Sequence, residues 1–175
     1  MSIDAKNFKR ALGKFASGVT VITVRSPDGE DHGMTASAFS SLSLDPPLVL
    51  VCIKNENQTY ELIEKAGSFA VNILGRHQEA ESNRFAGGYI DAEGHWQRWP
   101  EGRDKFEDLV TTRGEVSGAA LIEGSLARLD CRLEHILAGG DHGIFVGRVE
   151  GAQVLDSDDS APLLYFGGRY GGFQP

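Results

Sequence analysis

The stretch from Gly33 to Lys54 reads GMTASAFSSLSLDPPLVLVCIK and restricts the fold more than any other part of the chain. Small residues, hydroxyls and a double proline lie between two apolar, β-prone runs. The first half has little area to bury, because Ala, Ser and Thr side chains are small. It can bring backbone N–H and C=O groups close to a flat ligand and offers it many short hydroxyls. Leu48 to Ile53 follows Pro46-Pro47 as a continuous apolar run, with a length that suits a strand buried on both faces.

The rest of the chain reads the same way. Phe8, Ala11, Leu12 and Phe15 recur at helical spacing, which predicts an amphipathic helix ending near Gly18. Val19 to Val24 is β-branched and predicts a strand, closed by the turn signal Ser26-Pro27-Asp28-Gly29. A returning strand is expected through Gly33 to Phe39. Thr59 is the expected N-cap of a short helix carrying Tyr60, Leu62, Ile63 and Ala66. Phe69 to Leu74 predicts a strand and His77 to Phe85 a second short helix. Gly87 to Arg103, with Trp96 and Trp99, breaks the pattern and is expected to be a long functional loop. Ala127, Leu129, Cys131 and Leu133 alternate with Arg128, Asp130, Arg132 and Glu134, the pattern of a long antiparallel strand with one wet face. Gly139-Gly140-Asp141 is a turn, Ile144 to Val149 a returning strand, and Leu163 to Phe166 a last strand before a Gly- and aromatic-rich tail. Many strands and few helices predict a mainly β, α+β fold: a β-barrel with short peripheral helices. No repeat or boundary divides residues 1–175, so a single domain is expected.

Composition narrows the function. At 175 residues the chain is long enough for a substantial core. A net charge of -8 argues against general binding of nucleic acid or of anionic lipid. A local cation or helix N-terminus can still hold a phosphate. Cys52 and Cys131 form no CxxC pair and read as reduced core thiols. Nothing at the N-terminus reads as a signal peptide, and no apolar run is long enough for a membrane span, so a cytoplasmic protein is expected. The chain carries no G-x-G-x-x-G, P-loop, HExxH or G-x-S-x-G. Its five histidines are scattered, so no metal site is expected. Asp156, Asp158 and Asp159 read as a solvated turn rather than a calcium loop.

Several elements, in order, resemble the signature of the flavin reductase-like family. Ser17 to Thr23 matches its "sGVtvvT" strand, and Gly33 to Ile53 its "G.TasSf.SvSldPPlv.vcv" segment. Thr59 begins a helix, and Phe69 to Leu74 matches "F.vNvL". Arg84-Phe85-Ala86 matches "RFa", and Asp104-Lys105-Phe106 matches "dKF". Leu129-Asp130-Cys131 corresponds to "leC", Gly140 to Val149 to "gDH.ifvG.V", and Pro162 to Tyr170 to the "PLly..g.y" tail. The likeness covers nearly the whole chain.

That resemblance implies a split β-barrel of the FMN-binding type, usually a homodimer. It implies hydride transfer from NADH or NADPH to FMN or FAD, with the reduced flavin supplied to a partner flavin-dependent monooxygenase. By position, Thr35, Ala36, Ser37 and Ala38 border the isoalloxazine. Ser41, Ser43, Cys52, Ile53 and Lys54 line the ring edge and ribityl chain. Asn57, Thr59, Arg84 and Phe85 sit at the phosphate end, where Lys54 and the helix start supply donors. His142 matches the histidine linked to nicotinamide binding and is the catalytic candidate. Tyr165, Gly168, Arg169 and Tyr170 match the tail that closes over the ligands. Asn57 stands where many members have Ser, Lys54 where many have Asn, and Gly143 where Thr is common. Two other readings are a flavoprotein that keeps its flavin and passes electrons to a cobalt corrinoid or iron chelate, and a non-catalytic flavin-binding protein.

Overall fold

A computed structural model describes residues 4–155 and 161–173. In chain order its strands are β1 (Ser17–Gly18), β2 (Thr20–Arg25), β3 (Asp31–Ala36), β4 (Phe39–Leu44), β5 (Pro47–Lys54), β6 (Ser68–Ile73), β7 (Gly88–Ile90) and β8 (Trp96–Arg98). They continue with β9 (Thr111–Arg113), β10 (Ala120–Ile122), β11 (Ala127–Gly139), β12 (His142–Val154), β13 (Leu163–Phe166) and β14 (Arg169–Gly172). Three helices, α1 (Ala5–Leu12), α2 (Gln58–Ala66) and α3 (Glu79–Phe85), accompany them.

Seven strands form one antiparallel sheet in the order β3-β2-β6-β11-β12-β5-β4. Its edge strands, β3 and β4, are consecutive and joined only by Ser37-Ala38. Flat, six inter-strand steps of about 4.8 Å would hold those edges about 29 Å apart. The three Cα steps from Ala36 to Phe39 span at most about 11 Å. The sheet must therefore curl on itself, and the expected mainly β barrel is what forms.

Alternation along each strand sorts side chains between two cores. Ile22, Val24, Val49, Val51, Ile53, Phe69, Val71 and Phe145 fill the barrel interior, and Ile63 of α2 packs into the same cluster. On the outer side of β2, Val19, Val21, Leu74, Phe85, Ile122 and Leu163 form a second core, with Phe106, Leu109 and Tyr170 packed against it. This second core fastens α3, the 102–109 segment and the C-terminal hairpin beside β3.

Asn72 joins the sheet to the short β9–β10 ladder. It is fully buried. Its amide Nδ2 donates to the Val21 carbonyl (3.1 Å), and its Oδ1 accepts the Ile122 N–H (2.7 Å).

Several expectations change. The first helix ends at Leu12 rather than near Gly18, because Gly13 caps it and donates to the Lys9 carbonyl. The cap of α2 is Asn57, not Thr59: the Asn57 side chain accepts the Thr59 N–H at 2.9 Å. The β5 run is buried on one face only: Val49, Val51 and Ile53 are buried, whereas Leu48, Leu50 and Cys52 are half-exposed. Cys52 is only partly buried, so it is not a core thiol. Cys131 is one, and burial pushes its thiol up to about 12.

The Gly87–Arg103 stretch contains the β7–β8 hairpin rather than an open loop. Asp91 organises its turn by accepting the His95 N–H (2.7 Å) and the Gln97 amide (2.6 Å). Those donors, the His95 N–H first, hold its carboxyl below the usual range. The face of β11 expected to be wet is partly covered. Asp130 is buried there and accepts the N–H groups of Val116 (2.7 Å) and Ser117 (3.1 Å). The Asp156, Asp158 and Asp159 cluster lies outside the described residues. No helix among the described residues is long and apolar enough to cross a membrane.

Candidate active site

The residues singled out in the sequence fall into three neighbourhoods. The first is the open end of the β5–β12 ladder. Here His142 pairs with Lys54, Gly143 with Ile53 and Ile144 with Cys52. Directly opposed residues share a face, so His142, Lys54, Cys52 and Ile144 all face outward, while Ile53 points into the barrel. The Ala38 carbonyl accepts the Cys52 N–H at 3.0 Å and ties the Ser37-Ala38 bend over this face. Ser37 and Ala38 are exposed, so their backbone is open to a neighbour. Ser43 pairs with Leu48 on the outer face, but Ser41 pairs with the buried Val49 across a register shift. The two serines expected to act together are therefore on different faces.

His142 is oriented by its neighbour. Its Nδ1 lies 2.7 Å from Asp141 Oδ1, and the His142 hydrogen bond, followed by its charge, lowers the Asp141 carboxyl from its usual range. An ionised Asp141 accepts Nδ1–H and leaves Nε2 as the ring nitrogen available to a ligand. Asn55 locks the same turn: its N–H donates to the Asp141 carbonyl (3.0 Å) and its Nδ2 to the Gly140 carbonyl (3.2 Å).

The second neighbourhood lies beside α3. Thr35 Oγ1 donates to the Ser82 carbonyl at 2.6 Å, and the Ser82 and Tyr170 hydroxyls are 2.8 Å apart. Tyr165 meets Tyr170 edge to face, with centroids 5.3 Å apart. Partial burial raises the Tyr170 phenol above its usual range, although the Ser82 hydrogen bond opposes the shift. The turn between β13 and β14 uses Gly167 and Gly168, both with positive φ, the pair that a tight two-residue hairpin requires. Arg169 follows, exposed.

The third is a cleft of about 800 Å³ along β3, lined by Asn57, Thr59 and Phe85 together with residues 30–34 and 102–106. It changes the expected phosphate cradle. Thr59 is buried, and its N–H is already used by Asn57. Lys54 lies with His142 and Asp141 instead, where its charge helps to lower the Asp141 carboxyl. Arg84 is engaged elsewhere: its Nη1 donates to the Glu107 carbonyl (2.8 Å), and its guanidinium lies 4.9 Å from the Trp99 ring centre. Arg103 also lies over Trp99, at 5.1 Å, and pairs with Glu107. Arg84 and Arg103 thus hold the segment that follows the hairpin against α3.

Tyr60, Asp141, Ser82, Lys105 and Phe106 were not assigned roles by sequence reasoning. Lys105 and Phe106 stand in the "dKF" element, but only the fold brings that element to β3. For Tyr60 the signal was the departure at Gly143. A Cβ added at Gly143 would lie 2.5 Å from Tyr60 Cε2, so the tyrosine occupies the space that a side chain at 143 would need. Tyr60 also packs edge to face on Phe145, with centroids 4.7 Å apart. Gly143→Thr is expected to cost roughly 1–3 kcal/mol by overpacking. Adding Tyr60→Leu should recover part of that cost. A double-mutant cycle read by urea denaturation checks the pair, and purely additive costs would show that residues 60 and 143 do not compete for space.

The curled sheet presents a histidine, a lysine and a small-residue bend at one strand end, and a cleft lies along its edge strand. Residues 12–174 match the family described as "Flavin reductase like domain", and the chain belongs to that family. It is 36% identical over 174 residues to the reductase subunit of a flavin-dependent monooxygenase from Rhodococcus jostii, covering 99% of this chain and 80% of that one. It is 42% identical over 159 residues to the reductase component of 4-hydroxyphenylacetate 3-monooxygenase from Thermus thermophilus, covering 91% and 90%. The solved NADH:FAD oxidoreductase of Streptomyces globisporus superposes with a TM-score of 0.85 at 36% identity, covering 100% of this chain and 98% of that one.

Proposed function

We propose that this protein is an NADH-dependent flavin reductase that supplies reduced flavin to a partner monooxygenase. The observation that carries the reading is the single outward face shared by His142, Lys54 and Cys52, with the Ser37-Ala38 bend tied to it through Cys52. The residues fit a flavin. The bend offers backbone without bulky side chains, hydroxyls flank it at Ser37 and Ser40, and Lys54 adds a cation. When bound, the flavin accepts a hydride from the reduced nicotinamide. The protein's own work is alignment: reacting centres must be held about 3–3.5 Å apart. His142, oriented by Asp141, positions the nicotinamide through Nε2. Tyr170, anchored on Ser82, and Tyr165, packed against it, border the ligands from the tail side.

The outer sheet face supports a homodimer. Leu44 is 95% exposed and Leu42 49%, beside the half-exposed Leu48 and Leu50. Such a patch calls for cover, and a second copy supplies it. The reading places the enzyme in the cytoplasm as one domain over residues 1–175.

Purified protein supplied with NADH and catalytic flavin in air is expected to oxidise NADH continuously, with a rate that saturates in added FMN or FAD. Rates independent of added flavin, with flavin retained on the protein, would point instead to a prosthetic group serving another acceptor. Saturable flavin binding without NADH consumption would leave a non-catalytic binding protein.

A further inference from the structure

We infer that Trp99 is a positioning residue: its indole, gripped by Arg84 and Arg103, holds the 102–106 segment in place as one wall of the cleft and so sets how tightly the enzyme takes up its flavin or NADH. The inference rests on the flavin reductase reading above.

The two long walls of the cleft differ in what secures them. One is β3, laddered to β2 along its whole length. The other is the run from Gly102 to Phe106, and residues 99–110 belong to no helix or strand. A segment without a ladder opens easily and takes its position from side-chain contacts. Phe106 secures one end of this wall by packing edge to face on Phe85, with centroids 5.0 Å apart. The other end depends on Trp99.

Trp99 follows β8 directly and does not itself line the cleft. Its N–H donates to the Gly87 carbonyl (2.8 Å), which fixes it at the base of the β7–β8 hairpin. Its Nε1 donates to the Arg103 carbonyl (3.1 Å), inside the wall segment. The guanidinium groups of Arg84 and Arg103 lie 4.9 Å and 5.1 Å from its ring centre. Two cations over one ring repel each other, and Glu107 offsets this. Its carboxylate accepts Arg103 Nε (2.7 Å), and its carbonyl accepts Arg84 Nη1 (2.8 Å). Arg84 stands on α3, the helix whose Ser82 is hydrogen-bonded to Thr35 and Tyr170. The indole thus ties the wall to the same helix that holds the tail. Trp99 is half-buried and belongs to neither core, so the fold does not require it. A site that is assembled only part of the time binds more weakly in proportion to the fraction assembled, and releasing the wall lowers that fraction.

The test has two arms. In steady-state NADH oxidation with FMN or FAD, Trp99→Ala is expected to raise the KM for flavin, for NADH or for both about tenfold, the scale of two exposed cation–π contacts, with kcat within about twofold of wild type. Limited trypsin digestion of the free chain, followed by mass spectrometry, reads the same opening without turnover: cleavage after Arg103 and Lys105 is expected to be about tenfold faster in Trp99→Ala. Trp99→Phe keeps a ring for both guanidinium groups and should restore most of both properties. Arg84→Met removes one side of the clamp and should shift both in the direction of Trp99→Ala, and it carries the test if Trp99→Ala does not fold. Unchanged KM values overturn the inference, as do unchanged cleavage rates. A fall in kcat at unchanged KM overturns it too, since Trp99 would then act on hydride transfer. So does a Trp99→Phe variant as impaired as Trp99→Ala, since stacking would then not be what holds the wall. If the wild-type protein oxidises no NADH with either flavin, the flavin reductase reading itself falls, while the cleavage rates still decide whether the clamp exists.

Discussion

His142→Ala is expected to lower kcat/KM for NADH by about 3- to 10-fold, the range of a lost hydrogen bond of about 0.5–1.5 kcal/mol to the neutral nicotinamide. Flavin affinity should move by about threefold or less, since Lys54, Cys52 and the Ser37-Ala38 bend remain. The size of the effect follows from how well the imidazole is held. Asp141 lies 2.7 Å from Nδ1, and Asn55 bonds both Asp141 and Gly140 across the same turn. A group pre-set in this way contributes its bond without first being ordered. Stopped-flow reduction of bound flavin across a range of NADH concentrations separates nicotinamide binding from hydride transfer. Unaltered binding and reduction in the variant would make His142 a bystander, and the Tyr165 to Tyr170 tail would become the better candidate.

Asn72→Ala is expected to destabilise the fold by about 3 kcal/mol, because it leaves the buried Ile122 N–H without its acceptor and removes a further bond to the Val21 carbonyl. For a chain of this length that corresponds to a fall in Tm of roughly 6–12 °C, read by thermal denaturation monitored by circular dichroism. A fall below about 2 °C would show that water or a rearranged β10 replaces the amide. The effect reaches the site indirectly. Ile122 shares the second core with Phe85 and Leu163, and Phe106 and Tyr170 pack against that core. Loosening β10 therefore loosens the walls of the cleft and the tail.

Covalent neighbours and side-chain period were enough to read much of the fold. The β2, β5, β6 and β12 runs announce themselves through branched and apolar residues, and the turns through Gly, Pro and Asp, because those preferences act within a few residues. The order of motifs placed the chain in its family for the same reason: each motif is local. Where expectation and structure part, a distant segment decides. Asp130 looks solvated in the sequence and is buried because the 114–118 turn folds over it. Thr59 looks like a cap, but Asn57, two residues earlier, reaches its N–H first.

The site divides along the same line. His142, Lys54, Cys52 and the Thr35 to Ala38 segment stand out in the sequence as candidates. That Lys54 sits opposite His142 depends on the β5–β12 register, which no local propensity specifies. The engagement of Arg84 by Glu107 and Trp99 joins residues 15 or more apart in the chain. The cleft gathers residues 30–34, 57–59, 85–86 and 102–106. Short-ranged backbone preferences suffice to specify a β-rich chain with a small-residue bend and a histidine at a turn. Which charges meet, which are spent on one another and which, like that of Lys105, line the cleft follows from contacts between distant segments. Pairing at that range is set by the closure of the barrel and the packing of its second core.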